Sequence, residues 1–176
     1  MTVSDSIILL SRWLSSDDRD DLHVALDGLE EAGLLYCYEP KTWFNVRSSS
    51  ATPRDTRCLV VGDIVWNVLH ELPVWTPTTD ELRTALTVAL QIRRQVGACG
   101  RKLGGQPHRI HLCGLARWAG FPSEPPNYFP NLSIVRRFVE GQITSVQFKQ
   151  HLLKDLERER EFWTDQKAWF HAPSRA

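Results

Sequence analysis

The chain lacks any long apolar segment, and no part of it approaches the roughly 20 consecutive apolar residues that cross a membrane as a helix. Its N-terminal apolar run, residues 7–10, is too short for the core of a secretion signal, and Asp5 stands where such signals carry positive charge. Cysteine is also scarce, with four residues spread widely along the chain: Cys37, Cys58, Cys99 and Cys113. These absences predict a cytoplasmic protein with reduced thiols and no membrane contact.

The remaining composition is typical of a globular domain. Of the 176 residues, 42% are hydrophobic and 24% are charged, and such values are ordinary for folded domains. A chain of this length buries about 70% of its unfolded surface, which is enough for a core without metal or disulfide support. We therefore expect a single domain over 1–176. The polar, serine-rich segment 47–57 is a possible sub-boundary between an acidic helical front with a hairpin (1–47) and a helical body (58–176).

The net charge is zero, but the charges are unevenly distributed. Residues 1–33 contain eight acids and two bases, so the rest of the chain contains thirteen acids and nineteen bases. The stretch 93–117 contains six bases and no acid. Because such local fields steer charged partners, this stretch supplies the candidate binding residues, together with the tryptophan that follows it: Arg93, Arg94, Arg101, Lys102, Arg109, Arg117 and Trp118.

The clearest helix follows Thr78, which forms a capping box with Glu81. Apolar or small residues fill most of 82–96, and Gly97 is expected to end the helix, leaving a glycine-rich basic loop at 97–109. Further helices are expected at 4–14, 17–32, 58–72, 133–140 and 144–170. Gly33 is expected to end the second of these in a Schellman motif, with Leu34 against Leu29. Thr144 and Gln147 are expected to begin the last of them with a second capping box. A strand over 58–61 is an alternative to the start of the third of these.

A β-hairpin is expected at 34–47, where aromatic and β-branched residues flank the turn sequence Glu-Pro-Lys-Thr. The expected fold class is therefore mainly α, a compact helical domain with one small β-hairpin. Two helices followed by a hairpin, residues 5–47, resemble the second half of a winged helix-turn-helix domain. A helical hairpin followed by an unrelated β-ribbon is the alternative.

The winged-helix resemblance implies that the helix at 17–32 would be the recognition helix. After Arg19 it carries five acids and no base until Lys41. Because DNA binding depends on neutralising phosphates, a winged helix of this kind would be expected to bind protein instead.

A second resemblance covers residues 132–156. This segment combines a short apolar helix, the motif Phe-x-x-Gly-x-Ile and a capped helix with a phenylalanine and paired leucines. The pattern resembles the C-terminal part of small bacterial colicin-immunity-type proteins. The resemblance implies a helical binder that neutralises a toxin by occluding it. Such proteins usually present an acidic binding face, which here only the N-terminal segment could supply.

Residues with catalytic or metal-binding chemistry are concentrated at His108, His111 and Cys113, with Cys99 nearby. Their spacing matches no known zinc motif, and no carboxylate lies between Glu81 and Glu124 to orient a histidine. The glycines at 97–105 lack the Gly-Lys-Ser/Thr of a phosphate-binding loop. We therefore expect no catalytic residue, no metal ligand and no cofactor.

Three interpretations of the basic stretch 93–117 remain open. It pairs with the chain's own acidic front, binds an acidic surface on another protein, or contacts a nucleic-acid backbone with Trp118 stacking on a base. The expected function is a non-enzymatic interaction protein of a regulatory, inhibitory or immunity type. It would contact another protein through this stretch or through the acidic helix at 17–31. A nucleic-acid-binding regulator is the alternative, and a Cys/His-dependent enzyme is the third.

Overall fold

The computed structural model describes residues 1–34, 51–72, 75–102, 113–122 and 130–165, with side chains in all of these except 94–102, 113 and 162–165. This part of the chain forms seven helices and no strand: α1 (Val3–Ser16), α2 (Arg19–Glu31), α3 (Arg54–His70), α4 (Thr79–Lys102), α5 (Cys113–Trp118), α6 (Leu132–Val139) and α7 (Ser145–Asp165). The mainly α class is confirmed for these residues. The hairpin predicted at 34–47 lies outside them from residue 35 onward.

The chain divides into two compact units. The first comprises Met1–Val68 and Pro77–Ile110, and the second comprises Leu69–Thr76 and His111–Ala176. The single domain predicted over 1–176, and the possible sub-boundary at 47–57, remain predictions.

In the first unit, α1 begins with a capping box between Thr2 and Asp5. The Thr2 hydroxyl accepts a hydrogen bond from the Asp5 amide at 3.1 Å, and the Asp5 carboxylate accepts one from the Thr2 amide at 2.9 Å. The bond from the Thr2 amide favours the ionised carboxylate and is the main reason why the pKa of Asp5 is lowered. The helix buries Ile7, Leu10 and Trp13 along one side, so its start and its inward face both follow from local sequence.

α2 runs back along α1 and ends in the Schellman motif that the sequence predicts. Gly33 has a φ of 72°, and the Leu34 amide donates to the Leu29 carbonyl at 3.0 Å. The inward side of α2 is aliphatic and includes Leu22, Leu26 and Leu29, all essentially inaccessible to solvent. The predicted helices at 4–14 and 17–32 are confirmed to within about two residues at each end.

α3 settles the choice between strand and helix at 58–61, since these residues belong to one continuous helix. Cys58, Val60 and Val61 are all buried, without the alternation of a half-buried strand. The helix begins at Arg54, directly after Pro53, and therefore takes in the last part of the segment predicted as a polar linker.

α4 begins as predicted, because Thr78 and Glu81 exchange the two hydrogen bonds of a capping box at 2.8 and 3.2 Å. The prediction that Gly97 ends the helix is wrong, since α4 continues to Lys102. Gly97 and Gly100, both within α4, each cost about 1 kcal/mol relative to alanine in a helix interior, and a cost of this size does not by itself end a helix. Basic residues at the far end also complement the helix dipole.

The second unit is built around α7, whose capping box between Thr144 and Gln147 is confirmed by hydrogen bonds of 3.2 and 2.9 Å. α6 ends at Val139, and Gly141, two residues further on, has a φ of 75°. The rings of Phe138 and Phe148 stack with their centroids 4.2 Å apart, which joins α6 to α7. The sequence predicts that α7 ends near residue 170, which lies outside the described residues. Most of the proline-rich segment after α5 also lies outside them.

Gly114 and Gly28 provide a matched pair of glycine-to-alanine substitutions. A Cβ atom at Gly114 would overlap the backbone carbonyl oxygen of Leu69, whereas one at Gly28 would meet the ends of the Met1 and Ser6 side chains. We expect Gly114→Ala to lower the free energy of unfolding by about 1–3 kcal/mol, because backbone cannot move aside easily. Gly28→Ala should change it by less than about 1 kcal/mol, since flexible side chains yield and alanine favours the helix.

Urea unfolding of the two variants and the wild type measures this difference. Equal losses at the two positions would show that α5 does not approach the end of α3 this closely.

Candidate functional site

The predicted binding residues of 93–117 are distributed over both units. Arg93 is exposed on α4. Arg94, Arg101 and Lys102 lie in the last three turns of the same helix, at positions whose side chains are not described. Arg109 lies outside the described residues. All four bases of 93–102 are therefore helical, whereas the sequence predicts a loop at Arg101 and Lys102.

Arg117 and Trp118 belong to α5 in the second unit, where both make internal contacts. The Arg117 guanidinium donates a hydrogen bond to the His70 carbonyl at the end of α3. The Trp118 ring lies 5.7 Å from the Phe148 ring, and the Lys149 ammonium is 4.5 Å from its centroid. These two side chains thus support packing within the second unit, and a binding role for them remains a prediction.

The acidic front has internal basic partners that come from outside 93–117. Arg57 is buried, and its Nε donates to the Leu14 carbonyl at 3.3 Å while its guanidinium lies 3.6 Å from the Asp17 carboxylate. The nitrogen that pairs with Asp17, Nη1, also donates to the Thr52 carbonyl. Asp17 itself adopts a left-handed conformation with a φ of 56°, which asparagine and aspartate tolerate best among residues with a side chain. The polar cluster of Arg57, Asp17 and Thr52 fastens residues 51–57 to the turn between α1 and α2.

A second ion pair lies on the outer side of the same turn. The Nε of Arg12 is 3.3 Å from the Asp21 carboxylate. The Asp21 side chain is only 11% exposed, whereas that of Arg12 is 63% exposed. Beside this pair is a cavity of about 430 Å³, which we call the turn cleft; it is lined by Ser11, Arg12, Ser15, Ser16, Asp18 and Asp21.

The outward side of α2 is acidic along its whole length. Its exposed residues are Asp20, Val24, Asp27, Glu30 and Glu31, which we call the acidic face. Four of them are spaced i, i+4, i+7 and i+11, so they follow one stripe of the helix. Val24, near the middle of the stripe, is 47% exposed. Asp21, by contrast, is turned toward Arg12, and its side chain is only 11% exposed.

A second concave region of about 620 Å³ lies along α7, lined by Gln147, Gln150, His151, Leu153, Lys154 and Glu157. All of the lining residues that belong to the described part of the chain come from this one helix. On the same helix, partial burial raises the pKa of Glu159, and the charge of Asp155 raises it further.

The ligand-type residues singled out in the sequence do not form a described site. His108 and His111 lie outside the described residues, and the side chains of Cys99 and Cys113 are not placed. Across the described part of the chain, no three histidine, cysteine or acidic side chains converge as a metal site would require. Cys58 is a buried free thiol within α3.

Sequence reasoning did not find Arg12 and Arg57 as partners of the acidic front. Arg57 is 40 positions from Asp17, and such a pairing depends on the tertiary fold. A partial signal was present, since Arg12 and Arg19 are the two bases among eight acids in residues 1–33.

Among the described helices, none combines the length and apolar character required to cross a membrane. Compared with models of known protein families, the chain matches none. No curated protein matches its sequence, and no solved structure matches it.

Proposed function

We propose that this chain is a non-enzymatic interaction protein, of a regulatory, inhibitory or immunity type, which binds another protein through the acidic face of α2. The observation that carries the proposal is the exposed stripe in which the carboxylates of Asp20, Asp27 and Glu31 surround the half-exposed Val24. A surface that carries charge of one sign selects a partner mainly through charge complementarity, and Val24 adds one apolar contact within it.

The distribution of charge along α2 supports this proposal, because the helix dipole explains only part of it. Asp20 and Asp21 lie in the first turn, where carboxylates are favoured. Glu30 and Glu31 lie in the last turn, where carboxylates are disfavoured by about 0.3–1 kcal/mol each and where α2 has no base. Glu31, at the very end, does not help the helix to form, so we attribute this acid to binding.

The partner expected for this surface is a basic protein segment. A surface of one sign speeds the encounter with a partner of opposite sign, and Val24 offers apolar contact area at the centre. Binding of this kind should weaken as salt is added, because exposed charges are screened over about 8–10 Å at ordinary ionic strength.

The double variant Asp27→Lys/Glu31→Lys tests the proposal. Both residues are exposed, and lysine near the end of a helix complements the dipole, so the variant should fold as well as the wild type. We expect it to lose at least about tenfold in affinity for the partner that co-purifies with the wild-type chain from its native cell. Isothermal titration calorimetry with the isolated partner measures the loss.

The matched control is Glu157→Lys/Glu161→Lys on α7, which changes the net charge equally at two exposed positions of the second unit. This control should bind as the wild type does. Equal weakening in the two double variants, or no weakening in either, would contradict the assignment to α2.

A nucleic-acid-binding regulator is the second candidate, and the length of α4 favours it. The helix carries Arg93, Arg94, Arg101 and Lys102 in its last ten residues, without an acid among them. Four bases could support salt-dependent, sequence-independent binding to phosphates. Retention on heparin at low salt that is lost in Arg101→Ala/Lys102→Ala would favour this candidate.

A further inference from the structure

We infer that the turn cleft is a binding site for a guanidinium group from the partner protein, and that Arg12 occupies the site until the partner's arginine displaces it. The inference rests on the proposed function, since it names the chemistry by which a basic partner would be anchored beside the acidic face. The inference concerns the residues that line the turn cleft, none of which belongs to the acidic face.

In the ion pair between Arg12 and Asp21, the carboxylate is largely buried and the guanidinium is largely exposed. The Asp21 side chain is 11% exposed, so its carboxylate needs a donor to offset lost hydration. The Arg12 side chain is 63% exposed and reaches Asp21 through a contact of 3.3 Å. A pair with so exposed a member contributes little to folding, and its long side chain is free to move. Another guanidinium can therefore replace that of Arg12 without unfolding the turn.

The lining of the turn cleft suits a planar donor with several N–H groups. Asp18 and Asp21 supply carboxylate oxygens, and Ser11 and Ser15 supply hydroxyl oxygens. A guanidinium carries five N–H donors in a fixed fork, whereas an ammonium offers three from one point. The Ser16 hydroxyl is already used, since it donates to the Arg12 carbonyl and accepts from the Asp18 amide. The cleft thus has carboxylate and hydroxyl acceptors beside Arg12, of which the Asp18 Oδ1 already accepts from the Asp20 amide.

On the inner side of the same turn, a second guanidinium, that of Arg57, is buried. Arg57 donates to the Leu14 carbonyl in the last turn of α1 and pairs with Asp17. α1 has no basic residue in its own last turn, so the cation that offsets the partial negative charge of its carbonyl end is Arg57, from α3. Two arginines from different parts of the chain thus converge on this turn, one buried and one exposed.

Fluorescence anisotropy with a labelled nona-arginine peptide at low ionic strength tests the inference. Arg12→Ala should bind the peptide about two- to fivefold more tightly than the wild type, because the competing internal group is gone; this range corresponds to one exposed ion pair. Asp21→Asn should bind it more weakly by a similar factor. Thermal unfolding of each variant shows whether the turn remains folded.

Two controls separate this effect from a change in net charge. Arg158→Ala removes an arginine from an exposed ion pair with Asp155 at 3.4 Å on α7, so it should leave the affinity unchanged. A nona-lysine peptide should gain less than nona-arginine from Arg12→Ala, because lysine lacks the planar fork. Equal gains in Arg12→Ala and Arg158→Ala, equal gains for both peptides, or weaker binding by Arg12→Ala would overturn the inference.

The outcome is distinguishable from failure of the proposed function. If Asp27→Lys/Glu31→Lys abolishes binding of the partner while Arg12→Ala leaves the peptide affinity unchanged, partner binding through the acidic face is supported and the guanidinium site is wrong. If the peptide binds more tightly to Arg12→Ala while the partner binds Asp27→Lys/Glu31→Lys as tightly as the wild type, the guanidinium site is supported and the assignment of partner binding to the acidic face is wrong.

Discussion

Replacing Arg57 with methionine is expected to lower the free energy of unfolding by about 3 kcal/mol. The substitution removes donors to the Leu14 and Thr52 carbonyls and leaves the partly buried Asp17 carboxylate without its cation. Removing one member of a buried pair costs about 3–5 kcal/mol, mostly because the other member stays buried and unpaired. We expect the lower end of that range, since the Asp17 side chain is 26% exposed.

Urea unfolding at neutral pH measures this loss, and Arg158→Met is the matched control. The Arg158 side chain is 73% exposed in its pair with Asp155, so its removal should change stability by less than about 1 kcal/mol. Similar small losses in both variants would mean that Arg57 does not fasten residues 51–57 to the α1–α2 turn.

Replacing Phe148 with alanine is expected to destabilise the second unit by about 3–5 kcal/mol. Phe148 is fully buried, stacks on Phe138 and contacts Trp118. Truncating a buried phenylalanine removes its transfer free energy and leaves a cavity that neighbouring groups fill only in part. Because the ring joins α5, α6 and α7, no neighbouring side chain can restore all of its contacts.

Val146→Ala is the control for this substitution, since Val146 lies on the same helix and is 63% exposed. Its stability should change by less than about 0.5 kcal/mol. Unfolding curves for the two variants that differ by less than about 1 kcal/mol would show that the aromatic cluster is not the core of this unit.

The parts of the fold that sequence predicts are those fixed by interactions between near neighbours. The capping boxes at Thr78 and Thr144, and the Schellman motif at Gly33, each involve residues within five positions of one another. These bonds form wherever the backbone turns into a helix, so the motif is sufficient to locate them. The continuation of α4 through Gly97 was missed because glycine is permitted both at a helix end and, at modest cost, inside a helix.

The candidate site was harder to predict because its pairs join distant parts of the chain. Arg57 lies in a segment whose three serines and one proline favour a loop, yet it is buried against α1 and Asp17. Sequence identified the acidic helix and its charge, but not which carboxylates turn outward. That division depends on the packing of α2 against α1, which buries Leu22 and Leu26 and leaves Asp27 and Glu31 exposed.

Hydrogen–deuterium exchange of the purified complex tests the central proposal most directly. Comparison of the free chain with the chain bound to its partner shows which backbone amides become protected. The proposed function predicts slowed exchange concentrated in peptides that cover α2, Arg19–Glu31, with little change in α7. Slowed exchange confined to 93–102 or to α5, with the α2 peptides unchanged, would contradict it.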